Sequence, residues 1–303
     1  FTIGWITALP LEMAAAIEML DEEYGKPNIQ NAHDYNNYIL GRIGLHNIVI
    51  ACLPTGVYGT TSAAVVAVQM MASFRSIRFG LMVGIGGGIP SATNDIRLGD
   101  VVVGKPSGRV GGVIQYDFGK TTDGGRFDPQ GSLNKPPQIL LTAVSTMQAL
   151  HLTRGNQIQA ILSGLNKSRF YSQRPGQDRL FEPNYSHENS SASCDHCDAR
   201  RLMIRPGRPD TNPVVFYGTI ASGNQVIKDA RTRDQLGQRH GVLCFEMEAA
   251  GLMDNFPCLV IRGICDYADS HKAKDWQAYA AITAAACAKE LLGLIPIGDW
   301  LDT

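Results

Sequence analysis

Apolar and polar positions along this chain fall into short blocks that switch between a two-residue and a roughly 3.6-residue period. Residues 1–7 alternate as a strand and break at Pro10. Residues 11–20, rich in Ala and Met with helical spacing, predict a helix. Residues 35–43 and 47–53 read as two strands with Gly44 in the hairpin between them. A helix over 60–74, a buried strand over 77–85 running into glycines, and a short strand over 99–103 follow. Residues 136–150 form a helical pattern with Pro at its start, where a missing N–H costs least. After a stretch without periodicity, strands over 214–221, 242–245 and 258–264 alternate with helical patterns over 225–238, 247–253 and 276–292. Alternating strands and helices predict an α/β fold around a largely buried sheet.

The interruption at 163–212 is polar and rich in Pro, Arg, Asn and Ser. It does not divide two cores, so the expectation is one domain, 1–303, with a long insertion. The chain opens at Phe1 rather than Met, which leaves open an excised domain of a longer protein.

Composition narrows the function classes. Apolar residues make up 44%, charged residues 18%, and 27 Lys and Arg nearly balance 28 Asp and Glu. This is not a disordered composition, and no basic excess supports a nucleic-acid partner. No apolar stretch approaches the ~18–20 residues of a membrane span. The seven cysteines are scattered, several in apolar runs, as in a cytoplasmic protein with reduced thiols.

Four strand ends carry unusual residues, at the place where open α/β sheets collect ligands. They are Thr7-Ala8-Leu9-Pro10-Leu11-Glu12, Gly84-Ile85-Gly86-Gly87-Gly88, Phe245-Glu246-Met247-Glu248-Ala249-Ala250, and the stretch from Arg262 through Cys265, Asp266 and Asp269. The glycine run is not a dinucleotide fingerprint, because position 89 is Ile, and it lacks the Lys and hydroxyl of a P-loop. A tight turn needing positive φ explains it as well as a ligand does. Glu12 alone fits a dipole-favourable first helical turn, and Glu246 and Glu248 fit a solvated helix start.

Taken together, these segments resemble the purine nucleoside phosphorylase/uridine phosphorylase superfamily, and its nucleosidase branch in particular. Gly99-Asp100-Val101-Val102-Val103, Ala221-Ser222-Gly223-Asn224 and Met247-Glu248-Ala249 followed by Asp266 carry the resemblance over nearly the whole chain. The opening Ile6-Thr7-Ala8-Leu9-Pro10-Leu11-Glu12, Gln115-Tyr116-Asp117-Phe118-Gly119 and the run from Phe245 to Met253 are most similar to N-terminal domains of fungal NOD-like receptor proteins. The resemblance implies a three-layer α/β/α sandwich with a mixed, partly barrel-like sheet. It implies that Met247 and Glu248 hold a ribose, Glu248 accepting from its 2′- and 3′-hydroxyls. It assigns Asp266 the proton delivered to purine N7, and places Val226 and Ile227 along the base, beside Gly86 and Gly87. It also implies a homo-oligomer, most simply a dimer. No cofactor and no metal are expected.

The nucleophile separates two branches of that family. Its phosphorylases bind phosphate with Arg in the loop after the first strand and ahead of the glycine run. Here residues 7–13 contain no Arg or Lys and carry Glu12, and the second position before Gly84 is Met82. A carboxylate repels phosphate but suits water. Glu12 and Arg262 match the pair that holds attacking water in nucleosidases, whereas Ile85 and Cys265 depart from the serines at the matching positions. The resulting expectation is a purine nucleoside N-ribohydrolase, with adenosine as first substrate. The alternatives are a phosphate-dependent phosphorylase and a nucleoside-sensing module of an immune-type receptor.

Three weaker signals remain. Cys194 and Cys197 have C-x-x-C spacing with His187 and His196 nearby. Without a second such pair, loop-local thiols or a labile disulfide are favoured over metal. Arg200, Arg201, Arg205 and Arg208 read as a solvated basic face, or else as a surface for an acidic partner or a nucleotide's 5′-phosphate. Tyr116 and Phe118 read as core aromatics more than base-stacking ones.

Overall fold

In a computed structural model of the chain, the structure describes residues 1–165, 174–187, 194–272 and 274–297. Its strands are β1 (Ile3–Thr7), β2 (Glu22–Gly25), β3 (Tyr38–Ile43), β4 (His46–Cys52), β5 (Phe79–Gly88), β6 (Val101–Gly104), β7 (Val113–Gln115), β8 (Gly119–Thr122), β9 (Arg126–Pro129), β10 (Val215–Ser222), β11 (Val242–Glu246) and β12 (Cys258–Asp266). Its helices are α1 (Pro10–Glu18), α2 (Thr60–Ser73), α3 (Gln138–Arg154), α4 (Ile158–Ser163), α5 (Ala230–His240) and α6 (Gln277–Leu292).

Ten strands form one mixed sheet in the order β11-β10-β6-β12-β5-β1-β4-β3-β2, with β7 on β10. β5 runs parallel to β1 and β12 over its first part. At its glycine end it turns onto β11, pairing antiparallel at Gly87–Phe245 and Gly88–Cys244. That contact joins the two ends of the path β11-β10-β6-β12-β5, so five strands close into a barrel and the remainder extends as an open wing.

Side chains alternate across the sheet, as a two-residue period requires. Trp5, Ile48, Ile50, Leu81, Val83, Leu259 and Ile261 face α1, α3, α4 and α6. Ile6, Val49, Ala51, Met82 and Val260 face α2 and Phe256. The expected three layers and partly barrel-like sheet are therefore present. Among the described residues no helix is long and apolar enough to cross a membrane.

Several elements depart from the periodicity reading. β2, β7, the β8–β9 hairpin and α4 are short and polar or irregular in pattern, so hydropathy did not mark them. The helix expected over 225–238 begins only at Ala230, because the Asp229 side chain accepts from the Thr232 N–H at 2.7 Å and caps it there. Residues 225–227 are thereby left in the loop. The helix expected over 247–253 is reduced to a 3-10 turn at Ala249–Gly251. The backbone there is pressed on α2: a Cβ on Gly251 would lie 1.9 Å from the Thr60 carbonyl oxygen.

Of the insertion at 163–212, residues 166–173 and 188–193 lie outside the described residues. The described parts are fastened by ion pairs. Arg205 meets Asp178 at 2.6 Å, Arg208 meets Asp100 at 2.7 Å, Arg201 meets Glu182 at 2.9 Å and Arg200 meets Asp198 at 2.9 Å. The basic cluster is thus matched by acids of the same chain and is not a uniformly positive face.

Gly263 lies where β12 touches α6, and a Cβ there would be 1.8 Å from the Ala280 carbonyl oxygen. Gly263→Ala should lower unfolding free energy by about 1–3 kcal/mol through overpacking. A change within about 0.5 kcal/mol in urea unfolding would show that the helix yields.

Candidate active site

The strand ends of β1, β5, β11 and β12 converge on a cavity of about 270 Å³. Its walls carry Glu12, Gly86, Gly87, Val226, Ile227, Met247, Glu248 and Asp266, together with Tyr58, Phe245, Glu246 and Lys272. A larger cleft of about 400 Å³ lies between residues 89–94 and α5. Its Arg233 is held by Asp234 at 2.7 Å and by the Tyr267 carbonyl at 3.0 Å, so the convergent acidic groups belong to the smaller cavity.

Glu12 is buried at the first turn of α1. One carboxylate oxygen accepts from the Ala8 and Leu9 N–H groups at 2.7 and 2.9 Å, and the other accepts from the Ile85 N–H at 2.8 Å. Pro10 at the helix start places those amides, and Gly84 gives the acid room, since a Cβ there would lie 2.5 Å from Glu12 Oε1. Burial raises the Glu12 pKa, against the opposing pull of Arg262 and the three N–H donors.

Arg262 does not line the cavity. It stands behind it on β12, 1% exposed. Its guanidinium bonds Glu246, lies 3.6 Å from Glu248 and donates to the Ile85 carbonyl at 3.4 Å. Its Nε is buried and has no hydrogen-bond partner among the described residues. Glu246 also accepts from the N–H groups of Glu248 and Ala249 at 3.1 and 3.0 Å, which fixes the turn bearing Met247 and Glu248. Glu248 accepts from the Gly59 N–H at 3.3 Å. Burial, then the charges of Glu246 and Glu12, push the Glu248 pKa up to about 7 while Arg262 pulls it down.

Asp266 closes the other side. Its Oδ1 accepts from the Ala268 N–H at 2.8 Å and lies 3.3 Å from Lys272 Nζ, and its Oδ2 accepts from the Cys265 thiol at 3.2 Å. Burial and the Asp266 charge raise the Cys265 pKa well above its usual value, so this thiol stays a donor. Ala268 has φ 51°, a left-handed conformation uncommon outside Gly, which curls the loop back so that its N–H reaches Asp266. A Cβ on Gly87 would lie 2.8 Å from Asp266 Oδ1.

A profile of the Phosphorylase superfamily matches residues 2–295. The chain belongs to that superfamily. It is 50% identical over 97% of its length to a nucleotide-binding leucine-rich repeat (NLR)-like protein of Hyaloscypha variabilis, of which it spans 29%. It is 25% identical over 95% of its length to the ATP nucleosidase Cap17 of Escherichia coli, spanning 50% of that protein. The superfamily fold recurs in the futalosine hydrolase of Helicobacter pylori, with TM-score 0.62 at 16% identity, covering 96% of this chain and 97% of that one.

Of the nine residues to which the superfamily resemblance assigns a part, eight line one cavity and Arg262 lies behind it. Val226 is half exposed at the rim and Ile227 is buried. The glycines of β5 do not make a tight turn. None from Gly84 to Gly88 has positive φ, and all belong to the strand. They are small because β11, Asp266, Glu12 and Arg262 crowd them. Tyr116 is core, donating to the Gln225 carbonyl at 2.9 Å and packed on Phe245, whereas Phe118 lies away from the cavity.

The sequence reading misjudged one site residue and missed another. Glu246 is a buried partner of Arg262 instead of part of a solvated helix start, and its only signal was Glu-x-Glu after an apolar strand. Lys272 has no local signal. It reaches Asp266 only because the 266–272 loop folds back.

The folded chain holds a proton on Glu248 up to about pH 7 that the unfolded chain releases near 4.5. That contribution to stability is complete below 4.5 and is lost as pH rises through about 7. From about pH 5 to about pH 8, wild-type stability should therefore fall relative to Glu248→Gln. A pH-independent difference between the two in urea unfolding would show that this carboxyl does not titrate there.

Proposed function

We propose that the chain is a purine nucleosidase that hydrolyses the N-glycosidic bond, with adenosine its first substrate. The observation that carries this reading is the charge of the cavity. Among the described residues lining it, Lys272 is the only Lys or Arg, and it is paired with Asp266. On the opposite wall stand Glu12, Glu246 and Glu248, with Arg262 engaged by the last two. A phosphate dianion would meet carboxylates there, whereas water meets a general base.

In this reading Glu248 accepts from the ribose hydroxyls, Met247 packs on the sugar, and Val226 and Ile227 flank the base. As the bond from C1′ to the base breaks, its electron pair passes to the purine, which takes a proton from Asp266. Water adds to C1′ and gives its proton to Glu12, whose burial raises its pKa and with it its strength as a base. Arg262 acts through the carboxylates it orders. Cap17 being named an ATP nucleosidase supports including ATP among the substrates tested. The 50% identity to part of an NLR-like protein favours a second reading, in which the domain binds a nucleoside ligand without turnover inside a larger receptor.

Chromatography of products from adenosine, guanosine, inosine, uridine, methylthioadenosine and ATP separates these readings. Hydrolysis gives free base and ribose, or the 5′-substituted sugar, without phosphate. Phosphate-dependent ribose 1-phosphate would return the chain to the phosphorylases, and binding without product would favour the sensor. Asp266→Asn should lower kcat by about 10²–10⁴ while ligand still binds. Glu12→Gln should act mainly on kcat. Near wild-type turnover in either variant removes that residue from its role.

A further inference from the structure

Outside the cavity, the insertion brings together side chains to which the proposed reaction gives no role. One ligand atom each from His187, Cys194 and Cys197 lies within 4.8 Å of the other two. Both cysteines are unlinked. They sit at the two ends of a tight turn, closed by the Cys197 N–H donating to the Cys194 carbonyl at 3.2 Å, which keeps the thiols together.

Beside them stands His271. Its side chain is 3% exposed, and its Nε2 is buried with no hydrogen-bond partner among the described residues. Its ring stacks on Phe181 at 4.1 Å and Tyr185 at 5.3 Å and lies 5.4 Å from that of His187. An imidazole this dry, held this firmly and with a nitrogen unused is costly unless something engages that nitrogen.

We propose that His187, Cys194, Cys197 and His271 form a structural Zn²⁺ site. Two sulfurs and two imidazoles are the donor set of a closed tetrahedral zinc centre, and they disfavour Mg²⁺ and Ca²⁺, which take oxygen. Zn–S near ~2.3 Å and Zn–N near ~2.0 Å hold tetrahedral ligands about 3.5 Å apart. His187, Cys194 and Cys197 already lie within 4.8 Å of one another, and His271, outside that trio, is the ligand the ion would draw in. On binding, the two thiols release their protons to solvent and become thiolates that neutralise the dication. The second C-x-x-C pair that the linear sequence lacks is supplied by two histidines, one of them from a distant segment.

The consequence lies in what the ion joins. The His187 N–H donates to Ser270 Oγ at 2.9 Å, and the Cys194 thiol donates to the His271 carbonyl at 3.7 Å. The segment from Asp266 to Lys272 is therefore tied to the insertion at the same place. Zinc would staple the insertion to the loop that carries Asp266 and Lys272. The site does not depend on the catalytic reading, because its readouts are metal content and stability.

The test uses the 303-residue chain purified without chelator. Elemental analysis should find one zinc per chain. Exchange for Co²⁺ should give strong tetrahedral visible bands with a thiolate charge-transfer band. Cys194→Ser and Cys197→Ser should lose both, and His271→Ala should weaken Co²⁺ affinity while keeping the charge-transfer band. If the cysteine variants do not fold, the wild type decides. Chelation should lower its melting temperature, and one equivalent of Zn²⁺ should restore it. A Cys194–Cys197 disulfide in freshly alkylated protein, a weak octahedral Co²⁺ spectrum, or metal retained in the double cysteine variant would overturn the proposal. Unchanged Co²⁺ affinity in His271→Ala would overturn the fourth ligand.

Discussion

Arg262 is withdrawn almost completely from water, and the cost of burying its charge is offset only because carboxylates delivered by other segments face it. Glu246 and Glu248 come from the end of β11, and Glu12 from the turn after β1. One cation against three acids leaves the cluster short of positive charge. Burial pushes the Glu12 carboxyl upward, and burial first, with the charges of Glu246 and Glu12 behind it, brings Glu248 to about 7. The same interaction sets the turn at 246–249, since the Glu246 carboxylate that binds the guanidinium also receives the backbone N–H groups beneath Glu248. Fold and site chemistry therefore share one buried ion cluster.

That cluster needs space, and β5 provides it by omission. A strand with β1 and β12 beside it and β11 across its end leaves no room for side chains at Gly84, Gly86, Gly87 and Gly88. A Cβ would strike Glu12 and Arg262, the Phe245 carbonyl, Asp266 and Ile264 in turn. The glycines act through their size and not through unusual dihedrals, so the barrel can close where the catalytic candidates meet.

Much of this was legible beforehand. Long apolar blocks located β1, β4, β5, β12 and α6, because a strand or helix buried in a sheet protein advertises itself locally. Residues at strand ends identified Glu12, Glu248 and Asp266 as belonging together, through motif order and superfamily resemblance. What escaped was set by contacts distant in sequence. Glu246 looks solvated until Arg262 is placed behind it. Lys272 and His271 depend on the path of one loop, and that His187 and not His196 meets Cys194 and Cys197 is decided only in three dimensions. The helix start at Ala230 was recoverable from Asp229, but hydropathy spoke more loudly than the cap.

The position of β5 has a consequence for how the chain reaches this state. Its neighbours β11 and β12 are made long after it, whereas within the ten-stranded sheet hairpin pairing of consecutive strands builds the β2–β3–β4 wing. Closing such distant strands means ordering a long intervening loop before the contacts repay it, which slows folding. During synthesis, a glycine-rich strand with one edge unsatisfied must wait for its partners. A chain stopped short of β12 would present that edge to other nascent chains.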